Sequence, residues 1–84
     1  MRNEVIPAGT TQQYIVRQAG VFHQEEAGKY EGVILLDKSS RAGIEQFRSE
    51  IRIWSENKDV VFDQVKKIGE MWPPKTDLYI LDLD

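Results

Sequence analysis

The chain of 84 residues has no cysteine, only three prolines, one histidine and no long apolar run. The missing thiols exclude disulfides, thiolate metal sites and cysteine nucleophiles. No stretch approaches the roughly 18 apolar residues that a membrane-spanning helix needs. The leading "MRNEVIPAGTT" lacks an apolar core of signal-peptide length. These absences predict a cytoplasmic protein without membrane association. Phosphate-loop glycine patterns, dinucleotide fingerprints and paired-histidine zinc motifs are also missing. With a single histidine, His23, and no nucleophile motif near it, general-base chemistry has nothing to act through. His23 is therefore expected to be a solvent-facing strand or turn residue.

What is present is modest. Hydrophobic residues make up 40% and charged residues 30%, the balance of a folded domain rather than a disordered chain. A chain this short buries roughly 60% of its unfolded surface, so most large apolar residues must serve the core. One domain over residues 1–84 is expected, with residues 1–11 a loose lead-in carrying Pro7 and Gly9. Fourteen acidic residues against 11 basic give a net charge of −3. That balance argues against direct nucleic-acid binding, which calls for a basic patch.

"KYEGVILLD" (29–37) is the strongest strand signal, with Val33-Ile34-Leu35-Leu36 unbroken. Residues 10–27 carry two patterns. "QYIVRQ" and "GVFHQ", parted by Ala19-Gly20, fit two strands. Thr10 to Gln13 fits a helix capping box, with Ile15, Ala19 and Phe22 on one helical face. "SSRAGIEQFRSEIRIWSEN" (39–57) predicts a helix capped by Ser39 or Ser40, because Ile44, Phe47, Ile51 and Trp54 recur at helical spacing. Ile53 points away from that stripe. Asp59 caps a second predicted helix, "VVFDQVKKIGEM", with Val61, Val65, Ile68 and Trp72 aligned and Pro73-Pro74 ending it. "TDLYILDLD" closes as a strand, expected inside the sheet because it is nearly all apolar. The expected order is β-β-β-α-α-β. This is an α+β fold: a mostly antiparallel sheet, built from an N-terminal meander and the C-terminal strand, with a two-helix pair on one face.

Asp82 and Asp84, with Asp37, form the one set of carboxylates that Mg²⁺ or Mn²⁺ would favour. Antiparallel strands would put Asp37 at the opposite end of the sheet from Asp82 and Asp84, so no metal or other cofactor is assigned. Alternation puts Tyr79, Leu81 and Leu83 on one face, and Leu78, Ile80 and Asp82 on the other. The acids then mark the point where the strand enters water and discourage edge pairing.

The remaining candidates concern contact with a partner. Glu25, Glu26 and Glu31 lie in "QEEAGKYEG", an acidic hairpin tip able to steer a basic partner. Arg48 and Arg52 lie along one side of the predicted first helix, within a segment, 38–58, that is net basic. Glu45 and Glu56 interleave with them in a salt-bridge ladder. Trp72, in "MWPPKT", is a candidate exposed anchor, since Trp and Arg are typical of contact centres. These residues predict a small acidic, non-enzymatic protein-binding module: an inhibitor, an immunity-type protein or an accessory factor. A basic nucleic-acid enzyme is the kind of partner that suits the charge. The alternatives are a self-associating homodimer, a nucleic-acid-associated factor and a Mg²⁺-dependent one.

Overall fold

A computed structural model describes residues 4–9, 14–40 and 43–83, with residues 39–40 and 43–48 described by their backbone alone. The elements are β1 (Val5–Ile6), β2 (Tyr14–Gln24), a 3-10 turn (Glu25–Ala27), β3 (Lys29–Ser40), β4 (Gly43–Ser55), α1 (Lys58–Met71), β5 (Leu78–Tyr79) and β6 (Leu81–Asp82). A four-stranded sheet runs in the order β4-β3-β2-β6, and β1 pairs separately with β5. The fold is α+β with a mostly antiparallel sheet; β6 alone runs parallel to its neighbour, β2.

β2 and β3 form a long hairpin rich in β-branched residues. Its turn closes at Gly28, whose φ of 63° is open to glycine and strained for other residues. The strand reading of residues 10–27 holds for the described part, Tyr14–Gln24, and the proposed capping box at 10–13 lies outside the described residues. Ala19-Gly20 is not a turn. β2 passes straight through it and pairs with Ile34 and Val33. A bulge at Arg17 shifts the register further back along the strand.

The predicted helix over 39–57 is not there. Gly43–Ser55 is the strand β4, paired antiparallel with β3. The two-helix pair is therefore one helix, and the order β-β-β-α-α-β does not hold. In "SEIRIWS", Ile51 and Ile53 alternate with Glu50, Arg52 and Trp54. β-Branched residues at every second position suit a half-buried strand, and pairing along β3 satisfies the backbone groups on the inner side of the segment. The spacing of Ile44, Phe47, Ile51 and Trp54 also fits a helix, but tertiary pairing overrides that local preference.

α1 begins one residue earlier than its predicted cap. Asn57, not Asp59, is the N-cap, its side chain accepting a hydrogen bond from the Asp59 N–H at 2.9 Å. Val61, Phe62 and Val65 bury one side of α1 against Val16, Ala19, Val21, Ile34 and Leu36 of the sheet. Gly32 lies directly beneath the helix. A Cβ there would stand 2.6 Å from Val65 Cγ2 and 2.9 Å from Val61 Cγ1, so glycine is what lets the helix sit this close.

Past Pro73-Pro74 the chain returns along β1, with the Gly9 N–H bonded to the Pro74 carbonyl and the Ile80 N–H to the Glu4 carbonyl. Ile6 and Ile80 are thereby buried in the core. The closing strand is not inserted inside the sheet. It splits at Ile80: β5 pairs with β1, and β6 lies at the sheet edge beside β2. Among the described residues no helix is long and apolar enough to cross a membrane.

Candidate functional site

α1 covers one face of the four-stranded sheet. On the opposite face, register places Phe22, Glu31 and Trp54 in one row across β2, β3 and β4. The next row holds Leu81, Gly20, Val33 and Arg52, across β6, β2, β3 and β4. Leu83 follows Leu81, anchored by its N–H on the Val21 carbonyl at 2.9 Å. Gly20 has no side chain to fill the space between these residues. The result is a shallow apolar groove of about 240 Å³, walled by Phe22, Val33, Leu35, Leu81 and Leu83. Leu83 in its wall is 65% exposed; Trp54, 58% exposed, lies on the same face but across Glu31 from Phe22.

A polar centre interrupts this apolar face. Glu31 is 1% exposed although it lies on the side away from the helix. One carboxylate oxygen accepts from Arg52 Nη1 at 2.7 Å and the other from Gln24 Nε2 at 2.7 Å. Arg52 also reaches Glu50, Nε to Oε1, at 3.4 Å. The hydrogen bond to Glu31, then that to Glu50, holds the Arg52 pKa above its ordinary value. Its charge is permanent at any working pH. The buried carboxylate is therefore matched by a fixed cation and a neutral donor, as a buried charge requires.

The predicted contact residues are dispersed. Glu25 and Glu26 are exposed in the turn of the β2–β3 hairpin, at its tip. Glu31 is not part of that acidic tip but the buried partner of Arg52. The Arg48 side chain lies outside the described residues. Trp72 is half-buried at the end of α1. Its ring meets Tyr14 edge-on at 6.2 Å, and its carbonyl accepts from the Val16 N–H. Of the two tryptophans it is Trp54, placed in a helix stripe, that is exposed.

Asp37 and Asp82 do not meet. In register, Asp82 is level with Val21 and so with Gly32, five residues from Asp37 along β3, a separation of about 17 Å at the usual rise per residue. Asp84 lies outside the described residues. Asp82 is not a solvated strand end either. Its carboxylate, 4% exposed, pairs with Lys58 at 3.0 Å beside the first turn of α1. Asp37 lies 3.8 Å from Arg17 at the bulge. Among the described residues no cluster of His, Cys, Asp or Glu could hold a metal ion. His23 stacks on Tyr30 with ring centroids 4.6 Å apart, rather than facing solvent alone.

The groove residues escaped the sequence reasoning, apart from the shared direction of Leu81 and Leu83. A signal was there. Phe22, Leu81 and Leu83 occupy the strand positions alternate to Val21, Ile80 and Asp82, so one set had to face away from the helix.

These features define a class by architecture alone: a four-stranded sheet with one helix packed on one face and a partly apolar face left open. Comparison with protein-family models, with curated proteins and with solved structures gave no match.

Proposed function

We propose that this chain is a non-enzymatic protein-binding module that docks through the open face of its sheet. The observation that carries the reading is the exposure of Leu81 and Leu83 in the wall of a groove large enough for an apolar side chain, with Trp54 exposed on the same face. Exposed apolar patches of this kind, rimmed by polar groups, mark interaction surfaces. The partner has a basic surface presenting an apolar anchor. The anchor enters the groove, while Glu25 and Glu26 at the hairpin tip attract the surrounding charge. The net charge of −3 acts in the same direction. A cytoplasmic inhibitor, immunity-type protein or accessory factor fits this chemistry, and a nucleic-acid enzyme is a partner with the required basic surface.

The test uses the tagged chain to capture partners from its host, with the Leu83→Asp and Glu25→Lys/Glu26→Lys variants run in parallel. The expected result is one dominant basic protein that is lost with Leu83→Asp and released at lower salt by the double charge reversal. A partner held equally well by all three proteins would remove the open face as the docking surface.

A further inference from the structure

We propose that the outer edge of β4 pairs antiparallel with the same edge of a second copy of this chain, about a two-fold axis through Ile51. The surface involved is the strand edge rather than the open face, so the inference stands independently of the partner proposed above.

The two edges of the sheet differ. β6, at one side, is a two-residue strand. β4, at the other, runs for 13 residues and contains no proline and no lysine. From Ser49 to Ser55 it pairs residue for residue with β3, without a bulge. Short edge strands, bulges, lysines and prolines are the usual means of preventing edge-to-edge pairing. This stretch of β4 has none of them. Among the described residues no strand pairs with its outer side, which presents a regular row of backbone donors and acceptors.

Charge selects the occupant and the register. Glu50 and Arg52 both lie on the open face, 48% and 44% exposed at their side chains. An antiparallel pair centred on Ile51 sets Glu50 opposite Arg52 of the second copy, and Arg52 opposite Glu50 of the second copy. Four charges then alternate in a square. Centring on Glu50 or on Arg52 would instead place like charges face to face. On the helix side, Ile51 meets Ile51 of the second copy, and half-buried Ile53 lies opposite Ser49. Residues opposite one another in a sheet share a face. Both helices therefore lie on one side of the eight-stranded sheet, and the two open faces become continuous on the other. The contact is isologous and closes on itself as a dimer.

Sedimentation equilibrium on the full chain tests this, from about 1 µM to about 1 mM, a span that reaches weak pairs. The expected result is a reversible monomer–dimer equilibrium. Glu50→Lys turns two opposite-charge pairs into two like-charge pairs, so it should weaken the dimer by about tenfold or more. Measured at about 1 µM, its own unfolding midpoint should fall only slightly, because the Glu50–Arg52 contact within the chain is an exposed pair. In parallel, hydrogen exchange should show alternate amides between Ser49 and Ser55 gaining protection as concentration rises. A monomer mass across the whole range would overturn the proposal. So would a dimer that Glu50→Lys leaves unchanged, or one that forms without any added protection along β4.

Discussion

On the helix side of the sheet, Val16, Ala19, Val21, Ile34 and Leu36 are at most 5% exposed, whereas Leu81, Trp54 and Leu83 on the far side are 40%, 58% and 65% exposed. Both faces carry large apolar residues, and the open one holds Glu31, Glu50 and Arg52 as well. What separates them is a single helix. α1 brings Val61, Phe62 and Val65 down onto one face, with Gly32 giving it room, and nothing among the described residues does the same for the other. Apolar area stabilises a fold only when it is removed from water. The covered face therefore holds the molecule together, and the open face leaves its apolar area in contact with water. Even the charges follow this division. Asp82 and Lys58 tie the sheet edge to the start of α1, while Glu31 and Arg52 form a polar centre in the open face.

The contrast can be broken most severely at Phe62. Phe62→Ala empties the middle of the covered face and should cost about 3–5 kcal/mol in urea unfolding, a large share of the stability of so small a domain. Asp82→Ala comes next. It leaves Lys58 without its buried partner, and the expected loss is about 2 kcal/mol, below the range for fully buried pairs because Lys58 remains partly exposed. At the lower end, substitutions of the exposed apolar residues of the open face, such as Leu83→Asp, should change stability by no more than about 0.5 kcal/mol.

Much of the scaffold is legible in the sequence. β3 announces itself by an unbroken apolar run, and α1 by its four-residue spacing and its two terminating prolines. β4 is the exception. Ile44, Phe47, Ile51 and Trp54 satisfy a helical period while Ile51 and Ile53 satisfy a strand period, and no local rule separates the two. Pairing with β3 decides: β4 folds back on the strand just before it, and sets Ile51 opposite Ile34, beyond the reach of a local pattern. The error carries through to the site. A helix hides Trp54 in the core, whereas the strand exposes it and brings Arg52 onto Glu31. Glu25 and Glu26 could be placed at a hairpin tip because turn chemistry is local. The burial of Glu31 could not, because it depends on Gln24 and Arg52 arriving from neighbouring strands.

The difference between the faces is tested most directly by urea unfolding of Leu83→Asp beside Phe62→Ala, with no partner present. Leu83→Asp should unfold at the wild-type midpoint while Phe62→Ala unfolds far earlier. A Leu83→Asp variant as unstable as Phe62→Ala would contradict the account, since it would make the open face part of the core.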